Sequence, residues 1–132
     1  MEKYIIKIGK EHMQLEWVKQ LLMQTYWAQS NSYTTIEKSM ANSLCFGVFN
    51  NELDKQIAFA RVMTDYATRF YILDVVVDCD YRSMGIGNLL IDAIINYEPI
   101  KALRGLLMTK DAQDFYKKFG FETYEITCMQ KK

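Results

Sequence analysis

The segment DVVVDCDYRSMGIGNLLIDAII, residues 74–95, places an arginine and two glycines between a valine-rich stretch and a helical pattern. A helix that begins near Met84 presents unpaired backbone N–H groups in its first turn, at the positive end of its dipole. Glycine at positions 85 and 87 keeps side chains away from that backbone, and Arg82 can add a charge-assisted contact. The combination suits a bound phosphate group, although a plain strand-to-helix turn would also explain the glycines.

Two other phosphate-binding motifs fit the segment poorly. A dinucleotide fingerprint needs a third glycine at position 90, which is Leu90, and the Gly-Lys-Ser/Thr of a P-loop is absent. Neither of those site types is therefore predicted.

The composition is that of one globular domain with balanced charge. The 132 residues suit a single domain, 1–132, and half of them are hydrophobic, so a core can form. Lys+Arg and Asp+Glu both number 16, which argues against non-specific binding to nucleic acid or to a membrane surface. No segment has the pattern of a leader peptide or approaches the roughly 20 apolar residues of a membrane helix. We therefore expect a cytoplasmic protein.

Cysteine and histidine are too sparse for a typical metal site. Cys45, Cys79 and Cys128 stand far apart without a C-x-x-C pair, and His12 is the single histidine. Zinc sites usually need a closely spaced set of such ligands. We expect reduced thiols and no metal.

Hydrophobic periodicity predicts the elements that position the glycine-rich segment. Strands are predicted at KYIIKI, SLCFGVF, QIAFARVMTD, RFYILDVVV, LRGLLM and FETYEITCM. Helices are predicted at residues 13–26, 34–41, 84–97 and 111–119, with Thr34 and Glu37 as a capping box for the second and Pro99 ending the third. The order β-α-α-β-β-β-α-β-α-β implies an α/β fold, in which helices cover both faces of a mixed sheet.

Two motifs resemble the hallmarks of the GNAT N-acetyltransferase superfamily. VVVDCDYRSMGIGNLLI is similar to its acyl-CoA signature, Arg/Gln-x-x-Gly-x-Gly/Ala, in which Arg82, Gly85 and Gly87 fill the three positions. DAQDFYKKFGFE resembles the alanine-led helix of the family, which carries Phe-Tyr and closes on Gly-Phe. Ser83 departs from the pattern, because this position is often glycine. The N-terminal half resembles, more loosely, a subgroup of small bacterial members whose acceptors are generally not assigned.

The resemblance implies that acetyl-CoA is the co-substrate. Its pyrophosphate would lie on the amides of residues 82–87, and its pantetheine arm along the preceding strand, where the strands flanking the helix splay apart. A backbone N–H near Val76 would face the thioester oxygen and stabilise its developing charge. The implied cofactor-binding residues are Val75, Val76, Val77, Arg82, Ser83, Met84, Gly85, Ile86 and Gly87.

The resemblance also implies a general acid. Tyr116, the tyrosine of the Phe-Tyr pair, would protonate the departing CoA thiolate. The pKa of a thiol is near 8.5 and that of tyrosine roughly 10, so this transfer is reasonable if the thiolate is desolvated. The alternative is that Tyr116 is a core aromatic, since Phe115, Phe119 and Phe121 surround it in sequence.

An amine substrate is largely protonated at neutral pH, so the reaction also needs a base. Asp74 interrupts an apolar strand beside the implied thioester site, where a partly desolvated carboxylate suits a catalytic base. It could equally bind the acceptor ammonium or pair with Arg61. Asp65 and Asp111 are weaker candidates, and Asp111 could instead cap the helix that carries Tyr116.

By analogy with the family, the acceptor site would be formed by the first two helices and their connection. TYWAQSNSYTT mixes aromatic rings with hydroxyls, which suits a small polar or cationic amine. A core helix followed by an ordinary polar loop explains the pattern equally well. The predicted substrate contacts are Tyr26, Trp27, Tyr33 and Arg61.

These expectations combine into an N-acetyltransferase that moves acetyl from acetyl-CoA to the primary amine of a small molecule by direct attack. Neutral charge and the lack of a long peptide-reading insertion favour a small molecule over a protein amine. The alternatives are an acetyltransferase acting on a protein amine and a non-catalytic acyl-CoA-binding sensor, which would bind acetyl-CoA without turnover. A homodimer is common in the family, and no sequence signal decides this point.

Overall fold

The computed structural model describes residues 2–132 and contains a five-stranded mixed sheet. The strands are β1 (Tyr4–Ile8), β2 (Leu44–Asn50), β3 (Lys55–Thr64), β4 (Arg69–Val77) and β5 (Arg104–Leu107). The helices are α1 (Leu15–Leu22), α2 (Tyr33–Ala41), α3 (Ile86–Ile95) and α4 (Gln113–Lys117), with short 3-10 turns at Lys10–His12 and Cys79–Tyr81. The predicted α/β class is confirmed.

The strands lie in the sheet in the order β1-β2-β3-β4-β5. Neighbours from β1 to β4 pair antiparallel. Short connections require this direction for β2 with β3 and for β3 with β4, whereas α1 and α2 lie between β1 and β2. The crossover through α3 makes β5 parallel to β4. None of the helices within residues 2–132 is long and apolar enough to span a membrane.

The two faces of the sheet bury separate sets of apolar side chains. On one face α3 packs Ile86, Leu90, Ile91 and Ile94 against the strands. On the other face α1 and α2 contribute Val18, Leu21, Leu22, Ile36 and Met40. Alternating residues of β2 and β3 supply both sets, as the period of a strand requires. Helices therefore cover both faces, as predicted.

A β-bulge in β4 interrupts its pairing with β3. Phe59 faces Val76 and Arg61 faces Leu73, so two steps along β3 match three along β4. Asp74 lies in the bulge with a φ of 55°, in the left-handed region. The pairing of β4 with β5 ends at Ile72 and Leu107, so residues 73–77 do not pair with β5. The two strands part at this point, as the family resemblance implied.

The predicted last strand, residues 121–129, is not formed. The segment has the alternation of a strand, but Tyr124, Ile126 and Met129 are exposed. No strand of the sheet pairs with it, and β5, the nearest strand in sequence, is only four residues long. Alternation shows that a segment is compatible with a half-buried strand, and it cannot show that a partner is present.

Two predicted helix boundaries are also wrong. Ser32, and not Thr34, caps α2, because its hydroxyl accepts a hydrogen bond from the N–H of Thr35. Helix α3 ends at Ile95 with Asn96 as its C-cap, before Pro99 is reached. Local hydrogen bonds set both boundaries.

Candidate active site

A cleft of about 490 Å³, termed the cofactor cleft, opens where β4 ends and α3 begins. All of the predicted cofactor contacts except Met84 line it. Met84 is instead exposed, and its sulfur lies 3.9 Å from the hydroxyl of Tyr4. The structure therefore brings the end of the valine strand and the glycine-rich loop to one cavity, as the sequence predicted.

The loop of residues 82–87 has the backbone geometry of an anion site. Ser83 and Gly85 both have left-handed backbones, with φ of 65° and 80°. Helix α3 begins at Ile86, and the N–H groups of its first turn have no intrahelical partner. Backbone N–H groups gathered by such left-handed residues form a concave site for anions, which the helix dipole reinforces.

The two glycines of the loop have different reasons to be glycine. A Cβ built on Gly85 meets no atom within 4 Å, so its positive φ is the constraint, and the space beside it is open. A Cβ on Gly87 would lie 3.3 Å from Cζ of Phe115. Glycine at 87 therefore allows α3 and α4 to approach each other.

Two long-range hydrogen bonds fix the approach to this loop. The side-chain oxygen of Gln24, just after α1, accepts from the N–H of Cys79 at 3.0 Å. The amide of Asn50, at the end of β2, donates to the hydroxyl of Tyr81 at 2.9 Å. Sequence analysis missed these contacts and also Lys118, a cation on the wall of the cleft. The partners of the two hydrogen bonds are distant in sequence, and no local sequence pattern marks these bonds or Lys118.

A second cleft of about 350 Å³, termed the acceptor cleft, occupies the gap between the parting ends of β4 and β5. Its walls come from residues 71–75 and 107–112 and from the connection between α1 and α2. The junction of the two clefts is marked by the four residues that line both, Tyr26, Trp27, Val75 and Tyr116.

Tyr116 packs among aromatic side chains and also lines both clefts. Its ring packs edge-on against Phe115 and Phe121, with centroids 5.0 and 6.1 Å apart, and the residue is 9% exposed. Burial raises the pKa of Tyr116 above its ordinary value. The hydroxyl at the junction of the clefts is therefore protonated at neutral pH, as a general acid must be.

Asp74 forms the ion pair that was one of its three alternatives. Its Oδ2 lies 2.6 Å from Nε of Arg61, and its Oδ1 accepts from Nε1 of Trp27 at 2.9 Å. Both carboxylate oxygens are thus engaged. Uptake of a proton by Asp74 would leave Arg61, whose side chain is 17% exposed, without its counter-charge.

Only two of the four predicted substrate contacts line a cleft. Tyr26 and Trp27 lie at the clefts, whereas Tyr33 and Arg61 line neither of them. Tyr33 begins α2 and is exposed, and the ammonium of Lys19 lies 5.7 Å from the centroid of its ring.

Asp65 and Asp111, the weaker candidates for the base, lie in different environments. Hydrogen bonds from Thr68 hold the pKa of Asp65 well below its usual range, in the turn between β3 and β4. Asp111 lines the acceptor cleft but does not cap α4, since the N-cap is Ala112, whose N–H donates to Thr109.

The thiols and the histidine lie outside both clefts. All three cysteines are free, and burial raises the pKa of the Cys45 thiol to about 11. His12 lies in the first 3-10 turn, 3.6 Å from Glu11. None of these side chains lines the cofactor or the acceptor cleft.

Comparison with known proteins agrees with this geometry. An acetyltransferase (GNAT) domain family matches residues 41–123, more than half of the chain. A crystal structure of a GNAT-family protein from Xanthomonas campestris pv. campestris is 31% identical, with a TM-score of 0.86 over 95% of this chain and 88% of that one. The structure of AAC(6')-Iy in complex with a CoA bisubstrate analogue shares the fold, at 18% identity and a TM-score of 0.75 over 99% of each chain.

A curated relative has a longer chain. Histone acetyltransferase TAP1 of Glycine max is 31% identical over 109 residues, which are 80% of this chain and 46% of that protein. The chain thus spans about half the length of the curated relatives it matches. The family match covers β2 to α4, which supply most of the lining of both clefts, and the connection between α1 and α2 lies outside it. The chain therefore belongs to the GNAT family of acetyltransferases, which use acetyl-CoA as co-substrate.

Proposed function

We propose that this chain is an N-acetyltransferase that transfers the acetyl group of acetyl-CoA to the primary amine of a small molecule. The observation that carries the proposal is the junction of the two clefts. A loop suited to phosphate lies in one, the gap between the strands forms the other, and a protonated Tyr116 lines both. Membership of the GNAT family supports acetyl transfer in general.

The cofactor cleft supplies a contact for each part of acetyl-CoA. The N–H groups of residues 82–87 would receive the pyrophosphate, with Arg82 and Lys118 as nearby cations. The backbone of Val75–Val77 is free of β5 along its open side, because pairing ends at Ile72. The pantetheine arm would pair with this backbone like an added strand.

The junction residues divide the chemistry between them. The amine nitrogen attacks the thioester carbon directly, and the bond from that carbon to sulfur breaks. The backbone N–H near Val76 stabilises the charge that develops on the carbonyl oxygen. Tyr116 donates its proton to the departing thiolate. The ammonium loses one proton to water at the mouth of the acceptor cleft before it attacks, because Asp74 is paired with Arg61. The second nitrogen proton leaves as the amide forms and returns through water to Tyr116.

The acceptor cleft supports a small molecule as the substrate. It is a recess of about 350 Å³ between strands, at the lower end of the range for small-molecule sites. Tyr26 and Trp27 give it an aromatic wall that suits an amine. The second candidate, a protein amine, is favoured by the soybean relative, whose name is Histone acetyltransferase TAP1. Cytoplasmic location and a homodimer stay predictions.

An acetyl-transfer screen tests the proposal. The purified chain is incubated with acetyl-CoA and either small primary amines or lysine-containing peptides. Thiol release gives the rate, and mass spectrometry identifies the acetylated product. Turnover on small amines is the expected result. Turnover on peptides alone would support the protein-acceptor alternative, and binding of acetyl-CoA without any turnover would identify a sensor.

A further inference from the structure

Four side chains form one connected set of polar contacts beside the acceptor cleft, and we term them the tether. Nη1 of Arg61 donates to the hydroxyl of Ser43 at 3.1 Å, and Nε of Arg61 donates to Asp74 at 2.6 Å. Asp74 in turn accepts from the indole N–H of Trp27 at 2.9 Å. The side chains of Arg61 and Asp74 are only 17% and 11% exposed, so water competes little for the pair.

Trp27 needs such an anchor because little else holds it. It lies in the connection between α1 and α2, outside any helix or strand, and is 49% exposed. Its ring meets Tyr26 edge-on, with centroids 5.0 Å apart, and Tyr26 is itself 67% exposed. The hydrogen bond to Asp74 therefore joins a loosely packed ring to the sheet.

Asp74 also has an unusual backbone. It occupies the bulge of β4 with a φ of 55°, a conformation that aspartate tolerates better than most residues. The next residue, Val75, lines both clefts. Contacts that fix the Asp74 side chain therefore also fix the direction in which the strand enters the junction.

We propose that Asp74 is a positioning residue: paired with Arg61, it holds Trp27 as the wall shared by the cofactor and acceptor clefts, and it does not act as the base. Each oxygen of Asp74 receives one fixed N–H donor, and uptake of the ammonium proton would leave the largely buried Arg61 without its counter-charge. The arginine also compensates the carboxylate charge, so the pair adds no net charge to the cleft. The consequence for acceptor binding rests on the acetyl transfer proposed above.

Kinetics on two variants and their combination test the role. Trp27→Phe keeps an aromatic ring but removes the indole N–H, and Asp74→Ala removes its acceptor. Each should raise the acceptor KM about tenfold, the factor expected for losing a hydrogen bond to a charged group, with a much smaller change in kcat. The double variant should be no worse than Asp74→Ala, because both changes remove the same contact. In each variant, the acidic limb of the pH profile of kcat/KM should match that of the wild-type protein. Glu98→Ala, which removes an exposed ion pair with Lys101, is the matched control.

The opposite pattern would overturn the proposal. A base predicts that Asp74→Ala lowers kcat by about 10²-fold and removes the acidic limb, while Trp27→Phe stays near the wild-type rate. An unchanged acceptor KM in both variants would show that the tether is a structural contact with no role in acceptor binding, and would refute the proposal. If Asp74→Ala does not fold, Asp74→Gly replaces it, because glycine adopts the left-handed backbone of position 74 and offers no side-chain acceptor to Trp27.

A readout without turnover separates this inference from the proposed function. The chain has two tryptophans, so in a Trp17→Phe background Trp27 is the sole indole fluorophore. Asp74→Ala in that background should lower the fluorescence anisotropy of Trp27 and shift its emission to the red. Unchanged anisotropy would refute the tether, whether or not the enzyme turns over. A wild-type chain that acetylates no amine would instead refute the proposed function and leave the anisotropy result standing.

Discussion

Replacing Tyr116 with phenylalanine removes one hydroxyl from the junction and keeps the ring. The edge-on contacts with Phe115 and Phe121 do not involve that hydroxyl, so the packing of α4 should survive. The free energy of unfolding should therefore change by less than about 1 kcal/mol. Affinity for acetyl-CoA should be nearly intact, because the loop of residues 82–87 is untouched.

The rate should respond much more strongly than the stability. Loss of a general acid lowers kcat by about 10²-fold, which corresponds to about 2.7 kcal/mol of transition-state stabilisation. Burial raises the pKa of Tyr116, and an acid loses activity as pH rises through its pKa. The hydroxyl of the wild-type protein should therefore stay protonated across the neutral range, and the defect of the variant should persist there.

Thiol release at saturating acetyl-CoA measures kcat, and calorimetry measures the affinity for acetyl-CoA. Tyr66→Phe is the matched control, because Tyr66 is an exposed tyrosine in the turn between β3 and β4. A Tyr116→Phe variant with the wild-type kcat would refute the acid assignment. An equal loss in Tyr66→Phe would show that the effect is not specific to the junction.

Two substitutions test the loop of residues 82–87. Gly85→Val should abolish acetyl-CoA binding, because a φ of 80° strains a β-branched residue and the new side chain would enter open space beside the loop; a folded variant that binds normally in calorimetry would contradict the phosphate argument. Ser83→Gly should raise the free energy of unfolding by up to about 1 kcal/mol, because Ser83 has a φ of 65°. Chemical denaturation should show the opposite sign for Ser39→Gly within α2, and equal signs would refute the strain argument.

Sequence alone predicted the parts of the site that are local. Arg82, Gly85 and Gly87 belong to one short loop, so their spacing already implies that they act together. Tyr116 could be placed because the Phe-Tyr pair lies in a short motif. The order of helices and strands along the chain from β1 to α4 also followed from periodicity.

Contacts between distant segments could not be predicted in the same way. The bond from Trp27 to Asp74 spans 47 positions, and the one from Gln24 to Cys79 spans 55. A periodic pattern shows which face of an element is apolar, and it does not show which loop that element meets. The prediction of a strand at residues 121–129 was wrong for the same reason, because strand pairing depends on a partner that local alternation does not specify.

The central claim is that the loop from Arg82 to Gly87 binds the pyrophosphate of acetyl-CoA. A calorimetric titration of the purified protein, freed of any carried-over CoA, tests it most directly, with S-acetylpantetheine as the ligand that lacks phosphate. The account predicts saturable binding of acetyl-CoA and a large loss of affinity for acetylpantetheine. Equal affinity for the two ligands, or no binding of acetyl-CoA by the folded protein, would contradict it.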